Sequence, residues 1–193
     1  MQEEIEDIRF IQIHDFDEIM NDPIRSQLHN EKVLVFEISS NFNLDPGKEK
    51  LKKEVIQYLC NISKLTILVI DCELKPECID YVLSFDFCLA TKQSKITIDT
   101  RKIEYFPKEN FEFLFGRTED DDSSSKALVN RLILSNEIKS EVLEFLAPIL
   151  SNKDQKYIKK LKQYFNRFKT RTPVNLAEIQ IHEMIMFCEL ALQ

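Results

Sequence analysis

The chain has 193 residues, 44% of them hydrophobic, with 14 phenylalanines and a formal charge of −7. That suits one domain with a real core, and so many aromatics argue against intrinsic disorder. The overall acidity argues against nucleic acid as a partner, and no apolar run approaches the roughly 20 residues of a membrane span.

In chain order, Ile8 to Ile13 has the apolar pattern of a strand, and Asp15 or Asp17 can cap a short helix after it. Lys32–Ser39 and Leu65–Ile70 are near-continuous apolar runs, which suit buried strands of a parallel sheet. Between them, a turn over Asn41–Gly47 leads into a helix over Lys48–Cys60, where Leu51, Val55, Ile56, Leu59 and Cys60 share one face. Pro76–Phe85 reads as a short helix with proline in its first turn, followed by short strands at Phe87–Ala90 and Ile96–Ile98. Alternation of strand and helix predicts parallel pairing with crossover connections. Glu119–Ser125 is a run of acids and serines expected to form a surface loop, and helices are expected at Ala127–Leu134, Ile138–Leu146, Gln155–Lys169 and Leu176–Leu192. The predicted organisation is one structural domain: an α/β core over residues 1–118, an acidic loop over 119–126 and a helical region over 127–193.

Several kinds of chemistry are disfavoured. Only Gly47 and Gly116 occur, where average usage would give about 13, so few sites allow a ligand close to the backbone. The cysteines are five in number with no CxxC pair, which in a chain expected to be cytosolic predicts reduced, mostly buried thiols. His14, His29 and His182 lack zinc-site spacing, so no metal is expected. The acidic start Met1–Asp7 has no basic region leading into an apolar run, and a cytoplasmic location is expected.

Residues Asp71–Thr100 carry a resemblance. A strand ends at Ile70, a turn and helix follow, and then comes Asp86-Phe-Cys-Leu-Ala-Thr-Lys-Gln-Ser-Lys-Ile96, continuing without a gap to Phe106-Pro107. This resembles the central segment of the crotonase (enoyl-CoA hydratase/isomerase) superfamily, with Ser94 in place of an alanine and Ile96 in place of a phenylalanine. Val33–Ser39 and Leu65–Ile70 fall in the family's order, and Leu134-Ser-Asn136 is similar to its later helix end. The resemblance implies an α/β fold, a ClpP/crotonase-like spiral of βαβ units with C-terminal helices. It also implies a homo-oligomer, a trimer or hexamer, assembled through those helices.

Crotonases bind the thioester oxygen with two backbone N–H groups and move a proton with carboxylates. Oriented donors at a developing charge are commonly the largest catalytic contribution. By position, the family's glycine triplet falls on Pro76, Glu77 and Cys78, so Glu77 and Cys78 hold the oxyanion position. Glu77 brings a negative charge where a nascent enolate wants a positive one. The other oxyanion loop falls on Ser40–Asp45, without glycine. Of two acids, one becomes Asp80 and the other Thr100, with Asp99 beside it expected to face the other way in a strand. One acid cannot supply the pair of separated pKa values that hydration uses.

Residues 153–171 hold eight Lys/Arg against Asp154 alone, a local net of +7 that leaves −14 elsewhere. Lys159, Lys160 and Lys162 lie there among aromatics, as a solvated helix face or as a docking surface for an acyl thioester or an acidic partner. Three functions stay open. The first is a catalytically degenerate binding or accessory protein for an acyl-thioester pathway, polyketide or fatty-acyl, with an acyl carrier protein or pathway enzyme as partner. The alternative is a divergent isomerase or decarboxylase that uses Asp80 on acyl-CoA or acyl-carrier-protein thioesters. The third is an interaction module built on the basic helix. No cofactor is expected, and a coenzyme A thioester is the candidate ligand.

Overall fold

The computed structural model describes residues 7–21, 31–42, 49–107, 128–151 and 155–170. Five strands form one parallel sheet: β1 (Ile8–Ile13), β2 (Val33–Ile38), β3 (Leu65–Ile70), β5 (Phe87–Thr91) and β7 (Arg131–Ile133), side by side in that order. Two further strands, β4 (Glu73–Leu74) and β6 (Lys95–Ile96), pair in parallel as a small second sheet. Among the described residues the helices are α1 (Glu49–Asn61), α2 (Ile79–Ser84), α3 (Ile138–Leu150) and α4 (Gln155–Thr170). The expected fold class is therefore observed.

Residues of β2 and β3 alternate between two apolar layers. Leu34, Phe36, Ile38, Leu68 and Ile70 face a core closed by Val55, Ile56 and Leu59 of α1, by α2, and by the 3-10 turn Phe16–Met20. Val33, Val35, Leu65, Ile67 and Val69 face a second core closed by Val142, Leu146 and Leu150 of α3 and by Ile158 and Leu161 of α4. A sheet covered on both faces explains why its strands read as continuous apolar runs. Asp15 caps the 3-10 turn by accepting from the Asp17 N–H, as its place in the sequence anticipates.

Three expectations are corrected. The region over 127–134 supplies strand β7, because Ile133 completes the second core while Arg131 pairs with Glu141 of α3 at 2.9 Å. Leu134-Ser-Asn136 consequently joins a strand to a helix and is not a helix end. The stretch after β6 is not a strand: Asp99 accepts from the Arg101 N–H and caps the 3-10 turn Thr100–Lys102. The acidic loop over 119–126 and the helix over 176–192 lie outside the described residues.

A hydrogen-bonded clasp sets the path from β5 to β6. Asp71 accepts from the hydroxyls of Thr91 (2.6 Å) and Ser135 (3.0 Å), and the Ser94 hydroxyl donates to the Ile70 carbonyl at 2.5 Å. The ends of β3, β5 and β7 are thereby fixed to one another, and the 97–106 segment leaves the small sheet toward α2.

Candidate functional site

Asp80 lies in the first turn of α2, which starts directly from the 3-10 turn Pro76–Cys78. Its carboxylate is fully buried. Oδ1 accepts from the backbone N–H groups of Glu104 (3.1 Å) and Tyr105 (3.2 Å), and Oδ2 lies 2.8 Å from Lys52 Nζ of α1. Glu104 Oε2 is 3.5 Å from the same ammonium. The rings of Tyr105 and Tyr81 flank that ammonium at 5.3 and 5.9 Å from centroid to Nζ. Burial works against the Lys52 charge, yet the hydrogen bond and charge of Asp80, with Glu104 adding, hold its pKa above the usual lysine value.

Glu77 occupies the middle of the Pro76–Cys78 turn. Its N–H has no acceptor among the described residues. Its side chain is half exposed, and Oε1 lies 3.9 Å from Lys102 Nζ, so the negative charge is partly offset by the 100–102 turn. The Cys78 N–H is already committed, donating to the Lys75 carbonyl at 3.0 Å. Burial pushes the Cys78 thiol up to about 12, which removes it as a thiolate nucleophile. Thr100 opens its 3-10 turn and carries no carboxylate.

No protein-family model matches the chain, and no curated protein matches it in sequence. Solved structures do match in three dimensions. An enoyl-CoA hydratase from Bacillus anthracis superposes with a TM-score of 0.62 at 12% identity, over 82% of this chain and 78% of its own. A methylmalonyl-CoA decarboxylase complexed with 2S-carboxypropyl-CoA gives 0.60 at 11% identity, over 94% and 85%. Human enoyl coenzyme A hydratase domain-containing protein 3 gives 0.60 at 12% identity, over 95% and 88%. The fold is the crotonase fold.

Within the crotonase fold, the positions that the resemblance assigns to chemistry can be located. Glu77, Cys78 and Asp80 come together on one turn and the helix it starts, and the segment carrying Thr100 runs back to Asp80 through the Glu104 and Tyr105 amides. The loop expected to supply the other oxyanion donor includes Asp45, which lies outside the described residues. Sequence reasoning missed Lys52. A signal was present: Lys52 precedes Val55 and Ile56 by three and four residues, the spacing that puts it at the edge of the buried face of α1.

The basic helix divides. Lys159 and Lys160 are exposed on α4. Lys162, expected beside them on the docking face, is instead inside the protein. Its Nζ donates to Asp86 Oδ2 at 2.7 Å and to the Leu59 carbonyl at 2.7 Å, with 3% of the side chain exposed. Asp86 Oδ2 also accepts from the Thr66 N–H at 2.8 Å and the Thr66 hydroxyl at 3.0 Å. The physical reason is periodicity: Lys162 follows Ile158 by four residues and precedes Phe165 by three, which places it on the inward side. Among the described residues no group of His, Cys, Asp and Glu could hold a metal ion, and no helix is long and apolar enough to cross a membrane.

Proposed function

We propose that this crotonase-fold protein is a binding or accessory protein for acyl thioesters that has given up hydratase chemistry. One observation carries the reading: the acid position, Asp80, is buried and bound by an ammonium and two backbone N–H groups. A carboxylate so engaged is committed to holding its three partners in place. The commitment of the Cys78 N–H and the threonine at position 100 support the same conclusion.

The ligand is a coenzyme A or carrier-protein thioester, and the pathway is polyketide or fatty-acyl assembly. The protein works in the cytoplasm as a trimer or hexamer, and Lys159 and Lys160 face an acidic partner such as an acyl carrier protein. A second reading keeps one supporting observation. The Glu77 N–H, which has no acceptor among the described residues, is a surviving oxyanion donor that would serve a divergent isomerase or decarboxylase using Asp80.

Turnover separates the two. Purified protein is incubated with crotonyl-CoA, a 3-enoyl-CoA and a malonyl-type CoA, beside an Asp80→Asn variant of intact fold. The accessory reading expects no product above the variant in any assay. Product formation that Asp80→Asn abolishes would replace it with the enzyme reading.

A further inference from the structure

We propose that the acid position of this fold has become an ammonium cage, filled by the chain's own Lys52. Four groups from two parts of the chain surround Nζ: the Asp80 carboxylate and Tyr81 ring of α2, and the Glu104 carboxylate and Tyr105 ring of the segment beyond the 100–102 turn. Two anions and two π faces around one primary ammonium form a recognition site for a cation, since ring faces and carboxylate oxygens both present negative potential.

Two of the walls are fixed independently of the lysine. Tyr81 stacks on Phe16 with centroids 4.3 Å apart and planes 12° from parallel, and Asp80 is anchored by the Glu104 and Tyr105 amides. Burial of α1 is carried by Val55, Ile56 and Leu59, so the cage is a separate feature of that helix. The raised pKa of Lys52 agrees with a cage that favours the charged form. The consequence for function rests on the reading above: the carboxylate at this position serves as the ligand of a standing cation.

If the cage recognises an ammonium, it will accept one from solution once Lys52 is shortened. Lys52→Ala removes the part of the side chain that n-propylammonium reproduces. With 100 mM n-propylammonium chloride, its melting midpoint is expected to rise by about 3 °C or more over the same concentration of sodium chloride. Propanol should give no such rise, and Lys52→Met, which keeps the stem in place, should respond to neither. An equal response to the amine and to sodium chloride would overturn the cage.

Should Lys52→Ala fail to fold, the unaltered chain gives the answer through acylation by an amine-reactive ester, mapped by mass spectrometry. Lys52 is expected to react at least tenfold more slowly than its exposed neighbour Lys53, and equal rates would overturn the proposal. Both tests are independent of turnover. Acyl-CoA conversion by the unaltered chain would therefore strike the accessory reading, whereas loss of the amine effect strikes the cage alone.

Discussion

Replacing Lys162 with Met tests how α4 is held on the sheet. The ammonium sits where α4 meets the end of α1, the start of β3 and Asp86 just ahead of β5, and it touches a carboxylate whose side chain is wholly buried. Methionine fills a similar volume, so the loss is mainly electrostatic. Removing one partner of a buried pair costs about 3–5 kcal/mol. Asp86 keeps the Thr66 N–H and hydroxyl at 2.8 and 3.0 Å, which puts the expected loss toward the lower end, about 3 kcal/mol. At this chain length that corresponds to a fall in the melting midpoint of about 6–12 °C. Urea unfolding followed by circular dichroism measures it directly, as a shift in midpoint at unchanged slope. Adding Asp86→Asn removes the stranded charge and should recover most of the loss. A Lys162→Met loss below about 1 kcal/mol, or a double variant as unstable as the sum of the singles, would refute the reasoning.

Alkaline pH should weaken the fold through its buried thiols. Burial holds Cys78 and Cys88 at about 12, so above the ordinary thiol value of 9.0 the unfolded chain loses protons that the folded one keeps. Stability is then expected to fall from pH 9 toward 12, by roughly 1.4 kcal/mol per thiol at pH 10, and Cys78→Ala with Cys88→Ala should flatten the decline in a pH series of urea melts. Phe16 is fully buried, stacked on Tyr81 and edge-on to Phe42 at 4.9 Å, so Phe16→Ala should cost about 3–5 kcal/mol by the same assay. Reversing charge at Lys159 and Lys160 should change stability by less than about 0.5 kcal/mol while weakening capture of an acidic carrier protein at least tenfold in surface-binding assays.

The strands of the main sheet were the most legible features. Ile8–Ile13 and Leu65–Ile70 match their observed limits; for Leu65–Ile70 the reason is that a strand covered on both faces reads as a near-continuous apolar run, while Ile8–Ile13 at the sheet edge keeps its apolar residues punctuated by Arg9 and Gln12. Strand β7 was not legible, since Arg-Leu-Ile is too short for periodicity to separate strand from helix, and its pairing with β5 is a long-range fact. The two-residue strands β4 and β6 fail for the same reason.

At the site, the sequence places Glu77, Cys78 and Asp80 on one turn, as observed. It does not disclose what each touches. Asp80 meets Lys52 across 28 positions and Glu104 across 24, so the partner that changes its role comes from tertiary packing. Lys162 shows the converse. Charge counting assigned it to the surface, although the same helical spacing that identifies Ile158 and Leu161 as core places it with them.

The most direct measurement of the central claim is calorimetric titration of the purified protein with coenzyme A and with crotonyl-CoA, followed by product analysis of the same samples. The expected result is binding in the micromolar range or tighter with the thioester recovered unchanged. Conversion of crotonyl-CoA, or no binding of either compound at millimolar concentration, would contradict it.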